Sequence, residues 1–222
     1  MKVMETVKSI MGRRGIQEIL HFTKGSAGLT GILHMKAVQS RYRLERDHRL
    51  AYIFEPNAAV RRDTAWLDYV NLSISEINSA FFGASCHWHK EAGEWWVILS
   101  FDPVIAEHPG VFFTTTNNFY TGAKQAEGPE GLQASFADRI LKWHDWRRGD
   151  VVTSRTTGTP DHLTTCEQAE ILYPMEVSTE FLLRIYVRDG EDMDDTMAQL
   201  DMLGHGGIEV VLAPERFYGR PR

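Results

Sequence analysis

Four stretches of this 222-residue chain carry side chains whose types could do chemistry together. They are His21-Phe22-Thr23, the paired Arg61-Arg62, Tyr69-Val70-Asn71-Leu72-Ser73, and Gln168-Ala169-Glu170-Ile171-Leu172. A guanidinium grips phosphate through two parallel hydrogen bonds. A carboxylate stabilises positive charge developing on a sugar. Each residue also has a plainer reading. His21 fits a satisfied strand histidine, Arg61-Arg62 a solvated face, and Glu170 the exposed start of a strand.

Other chemistries find less support. Cys86-His87-Trp88-His89 gathers metal-ligand types, with Cys166 and His205 elsewhere. Zinc sites usually separate paired ligands by two to five residues and repeat the pair. In an extended segment, Cys86 and Trp88 would also face away from His87 and His89, so the stretch reads as a polar turn with histidines. No Gly-x-Ser-x-Gly elbow is present. Nor is there a Walker sequence or a Gly-x-Gly-x-x-Gly phosphate loop.

The net charge is −6, which argues against broad duplex binding through many phosphate contacts. A local basic groove remains open. Arg41, Arg43, Arg46, Arg49, Arg61 and Arg62 form one basic group, and Arg139, Lys142, Arg147 and Arg148 another. Two cysteines, Cys86 and Cys166, make no disulfide framework and favour a reduced compartment. No signal-length apolar stretch follows Met1 and no window approaches a membrane span. The expectation is an intact cytoplasmic protein.

The elements that must position these residues can be read from periodicity and turn chemistry. A short helix is expected over about 3–14 and a buried strand over Ile16 to Phe22. A helix follows over Leu29 to Met35. Residues 40–66 are polar and arginine-rich, with a short helix through Ala58 to Asp63. Strands are expected at Tyr69 to Ile74, Trp95 to Phe101 and Val111 to Thr115. A loop is expected over Phe119 to Gly131, a helix over Leu132 to Trp146, and a Thr/Gly/Pro loop over Thr153 to Thr165. Strands at Glu170 to Tyr173 and Leu182 to Val187, a helix at Asp192 to Leu203 and a strand at Ile208 to Leu212 complete a mixed α+β chain. No linker divides it, so one domain over 1–222 is expected, with its core at about 16–218.

Taken in order, these segments resemble the DarT family of ADP-ribosyltransferases that modify DNA bases. The likeness runs through His21-Phe22-Thr23, Gly28-Leu29-Thr30-Gly31-Ile32-Leu33, Arg61-Arg62, Asp68-Tyr69-Val70, Phe113-Thr114 to Asn118, Gln168 to Leu172, Ile185-Tyr186-Val187, Val210-Val211-Leu212 and Phe217-Tyr218. It spans about residues 17 to 218. The resemblance implies a split, bent sheet with flanking helices and an NAD site in the cleft. It implies that Glu170 is the catalytic glutamate and that Arg62 contacts NAD phosphate and helps manage the acceptor proton. An offset of one residue would select Arg61 instead. His21 and Thr23 would hold the ribose and amide region, with His21 donating to a ribose oxygen. Leu29, Tyr69 and Ser73 would complete the cofactor site. Where the family follows Tyr-Val with Pro and an aromatic-rich run, this chain has Asn71-Leu72-Ser73-Ile74-Ser75, so Tyr69 or another ring must stack on nicotinamide. The acceptor implied is a base of single-stranded DNA, with RNA or protein as alternatives. Also implied are no metal, a toxin or anti-phage role, and a partner macrodomain antitoxin.

Overall fold

The computed structural model describes residues 5–46, 64–89 and 94–219. The first helix, α1 (Val7–Arg14), begins later than expected because Thr6 caps it. The Thr6 hydroxyl accepts from the Ser9 N–H, and the Ser9 hydroxyl accepts from the Thr6 N–H, closing a reciprocal cap. Gly15, with φ 69°, ends the helix in the left-handed conformation. The chain continues through β1 (Ile19–Lys24), α2 (Ala27–Met35), β2 (Ala37–Gln39), α3 (Arg41–Arg46), β3 (Tyr69–Ile74), α4 (Ser79–Trp88), β4 (Trp96–Phe101), β5 (Phe112–Thr114) and β6 (Gln125–Glu127). It then forms α5 (Gly128–Ala134), β7 (Arg139–Asp145), β8 (Gly149–Ser154), β9 (Glu170–Pro174), β10 (Glu176–Ser178), β11 (Leu182–Val187), α6 (Gly190–Met202) and β12 (Glu209–Leu212). None of the described helices is long and apolar enough to cross a membrane.

Among the described residues, eight strands form the main sheet in the order β12-β11-β4-β1-β3-β9-β5-β6. Every residue of β4 is buried. Its side chains alternate between two cores, Val97, Leu99 and Phe101 on one face and Trp96 and Ile98 on the other. The first core also takes Ile10 of α1, Leu29 and Leu33 of α2 and Leu200 of α6. The second takes Phe82 of α4 together with Phe217. Each such side chain, fully buried, contributes about 1.5–3 kcal/mol.

The α+β class and the split sheet are both present. β1 keeps register with β4 along its whole length, from Ile19 opposite Phe101 to Lys24 opposite Trp96. Against β3 it pairs only at Ile19–Ile74 and Leu20–Ser73. Beyond Leu20 the two strands part, and a wedge opens between them.

Two sequence expectations are corrected here. Leu132 to Trp146 is not a helix: α5 ends at Ala134, and the rest enters a hairpin of β7 on β8. The apolar positions fit both periods, but β8 carries β-branched Val151, Val152 and Thr153. The turn also decides for the hairpin. Asp145 Oδ1 accepts from the N–H groups of Arg147 and Arg148, and Gly149 takes φ 81°. Similarly, Cys86-His87-Trp88 lies in α4, not in a turn. Asn78 caps that helix by accepting from the Phe81 N–H. The expected helix at Ala58 to Asp63 lies outside the described residues.

Gly25 sits where β1 turns into α2. Its N–H donates to the Trp95 carbonyl at 2.8 Å and its carbonyl accepts from Gln199 Nε2 at 3.0 Å. A Cβ here would overlap the indole of Trp95. Gly25→Ala is therefore expected to destabilise the protein by about 1–3 kcal/mol, as overpacking does. Chemical denaturation measures it, and an unchanged midpoint would contradict the packing described.

Candidate active site

The wedge between β1 and β3 is a cleft of about 240 Å³. β1 contributes His21, Phe22 and Thr23, β3 contributes Tyr69, Asn71 and Ser73, and Glu170 of β9 closes one end. Burial alternates along β3, with Val70, Leu72 and Ile74 in the core and the other three half-exposed. The period of two thus puts Tyr69, Asn71 and Ser73 on one face.

His21 Nδ1 lies 3.0 Å from the Asn71 carbonyl oxygen. A carbonyl only accepts, so Nδ1 carries the proton. Burial lowers the pKa of His21 below its ordinary 6.5, while the bond to Asn71 opposes that shift in part. The ring is therefore neutral, and Nε2 is an acceptor. In this tautomer the free nitrogen can accept a hydrogen bond and cannot donate one, unlike the donor role expected from the resemblance.

Glu170 is 7% exposed. Its backbone pairs with Ser73 on one side and Thr114 on the other. Its Oε2 accepts from the Asn118 N–H at 2.9 Å, and its own N–H donates to Thr114 Oγ1 at 3.3 Å. Asn118 is held by a tight turn in which the Tyr120 N–H donates to the Asn117 carbonyl at 2.9 Å. The carboxylate is thus fixed by a strand below and a loop above.

Thr23 and Gly28 meet where α2 leans on β1. A Cβ on Gly28 would collide with the Thr23 hydroxyl, so the glycine permits this close approach. Leu29 follows Gly28 on α2. Its side chain is fully buried in the main core, because the helix turns that face inward, and only its backbone could meet a ligand. Arg61 and Arg62 lie outside the described residues.

Sequence reasoning did not single out Asn71, Trp66, Phe81 or Gln39 as lining residues. Asn71 shares the strand alternation with Tyr69 and Ser73, and that signal could have found it. Tyr69 packs edge-on against Trp66 at 4.9 Å, and Trp66 against Phe112 at 5.0 Å. Across the cleft, Phe81 packs on Phe22 at 5.6 Å. Rings thus stand on both walls although the run after Tyr69 carries none. Among the described residues no group of three His, Cys, Asp or Glu side chains could hold a metal.

A family profile described as "ssDNA thymidine ADP-ribosyltransferase, DarT" matches residues 20–218. The chain belongs to the DarT family. Solved DarT structures share its fold. The DarT of Thermus sp. 2.9 in complex with NAD+ has a TM-score of 0.62 at 17% identity, over 91% of this chain and 98% of that one. The same enzyme in complex with ADP-ribosylated ssDNA gives 0.61 at 18% identity, over 92% and 97%. Thermosipho africanus DarTG in complex with ADP-ribose gives 0.60 at 14% identity. The match covers 90% of this chain but 51% of the DarTG chain. A sequence comparison with curated proteins finds no match.

The neutral His21 gives this DarT cleft a pH signature. Burial disfavours the imidazolium, so the folded pKa lies below 6.5. Acceptor function is complete above that value and is lost only as pH falls through the lowered folded pKa. The Michaelis constant for NAD is expected to stay flat from pH 8 down to 6.5, with any His21-dependent rise centred below that value. A His21-dependent limb centred above 6.5 would contradict this.

Proposed function

We propose that this chain transfers ADP-ribose from NAD to thymine in unpaired DNA. The observation that carries the reading is Glu170 and neutral His21 facing one cleft across a split sheet, in a chain of the DarT family. The bond from nicotinamide to ribose C1′ breaks, and nicotinamide leaves with the bonding pair. Positive charge develops on the ribose, as in glycoside cleavage. Glu170 stabilises it by accepting from a ribose hydroxyl. A ring nitrogen of the base bonds to C1′ and loses its proton. His21 and Thr23 hold the ribose and amide region, Ser73 lies beside them on β3, and Tyr69 supplies a ring. Arg62 contacts phosphate and assists the departing proton.

The acceptor reading has its own support. Phe119, 52% exposed, adjoins Asn118, which holds Glu170. Tyr120 packs on Trp143 at 4.8 Å. At the tip of the β7–β8 hairpin, Trp146 is 79% exposed, with the Arg147 guanidinium 4.3 Å from its ring centre. Aromatic rings interleaved with cations suit an unpaired strand, which offers its bases for stacking. A base inside a duplex hides its ring nitrogens. In the cell we place the enzyme in the cytoplasm, as a toxin or anti-phage effector restrained by a macrodomain antitoxin. The support is family membership and the similarity to a DarTG chain.

The test is labelled NAD incubated in parallel with single-stranded DNA, the matching duplex, RNA and cell lysate. Label is expected in the single strand. Equal labelling of the duplex, or label confined to RNA or protein, would refute the acceptor. Glu170→Gln should lower transfer by at least about a hundredfold, the scale of losing a transition-state contact, with an unchanged melting temperature. Full transfer by the folded variant would refute the mechanism. Inducing the wild-type gene alone should arrest growth, and Glu170→Gln should relieve the arrest.

A further inference from the structure

We propose that Thr114 is a positioning residue, whose buried hydroxyl sets how Glu170 presents its carboxylate to the cleft. This rests on the catalytic role given to Glu170 above. The β5–β9 ladder ends at Thr114, directly opposite Glu170. There the chain leaves the ladder, and buried backbone groups beyond a strand end need other partners. Thr114, Thr115, Thr116 and Asn118 are nonetheless all buried.

The Thr114 hydroxyl serves both chains. It accepts from the Glu170 N–H at 3.3 Å and donates to the Thr116 carbonyl. Two residues further on, the Asn118 N–H donates to Glu170 Oε2 at 2.9 Å. These bonds close a circuit. It runs from the Glu170 backbone through Thr114 to Thr116, along the chain to Asn118, and back to the Glu170 side chain. A hydroxyl has one proton and two lone pairs, so it can serve both neighbours, which an aliphatic side chain of the same shape cannot. The circuit is braced from outside. The Ser135 hydroxyl donates to the Thr114 carbonyl at 3.2 Å, the Thr116 hydroxyl lies 3.3 Å from Cys166 Sγ, and Asn117 Oδ1 accepts from the Phe119 N–H at 3.0 Å. In so buried a place linked hydrogen bonds strengthen one another. Without the Thr114 hydroxyl, the loop that carries Asn118 loses its register with the strand that carries Glu170. The effect falls on the reaction more than on NAD binding, because the charge on the ribose develops only in the transition state.

NAD kinetics with single-stranded DNA and thermal melting, both on the full chain, test this. Thr114→Val replaces the hydroxyl by a methyl and keeps the shape. Its kcat is expected to fall about ten- to a hundredfold, the scale of misplacing a catalytic group by about 1 Å, with KM for NAD within about threefold of wild type. Thr114→Ser keeps the hydroxyl and should hold kcat within about threefold. Thr165→Val is the control. It removes a buried hydroxyl that donates to the Ala137 carbonyl at 2.7 Å, outside the circuit, and should leave kcat within about twofold. Should Thr114→Val not fold, Thr114→Ala is read by the same measures. A folded Thr114→Val with the kcat of wild type would overturn the proposal. A loss that Thr114→Ser does not relieve, or that Thr165→Val shares, would mark a general structural role and overturn it too. Wild type that cleaves no NAD would instead remove the reading of Glu170, and this inference with it.

Discussion

The hydrogen bond from His21 to the Asn71 carbonyl is where a sheet becomes a binding site. β1 stays paired with β4 over its whole length but leaves β3 after Leu20. Parting two strands strands their backbone polar groups, and a buried orphan costs about 1–3 kcal/mol. His21 spans the gap and satisfies the carbonyl with a side chain. The same bond fixes which ring nitrogen is protonated, so the device that keeps the wedge open also makes its histidine an acceptor. Structure and chemistry at this point have one cause.

Opposite the histidine, rigidity comes from a different source. Glu170 begins a strand paired on both sides, with β3 and β5. It has little freedom to follow a ligand, and the N–H of Asn118 restrains the carboxylate from above. For the role proposed for Glu170, meeting charge that develops on a sugar, a carboxylate is most effective when it is already in place. The remaining cleft walls are mostly aromatic and aliphatic, so the polar groups among them act in surroundings poor in water.

Much of this was legible in the residues. The runs Tyr69 to Ile74 and Leu182 to Val187 matched their strands end to end, because β-branched and aromatic residues were bounded by clear punctuation. The ordered set of short motifs led to the family. The hairpin at Arg139 to Ser154 was hidden because Phe136, Ile140 and Leu141 satisfy a helical period by chance, and the Asp145 turn that decides the matter is a local hydrogen-bond effect. The burial of the Leu29 side chain was hidden for a related reason. A motif shared with a family marks a helix but does not tell which of its faces meets the ligand.

The β7–β8 hairpin has a two-stranded ladder of its own and no place in the main sheet. It reaches the glutamate through the turn around Asn118, Tyr120 and Gly122, whose N–H donates to the Lys142 carbonyl at 2.8 Å. The ladders that hold Glu170 and the exposed rings of the hairpin therefore belong to separable parts of one chain. Changes of length or composition at the hairpin tip leave the ladders around Glu170 untouched. Sequence at the tip can thus vary under selection of its own, apart from the selection that holds the residues around Glu170.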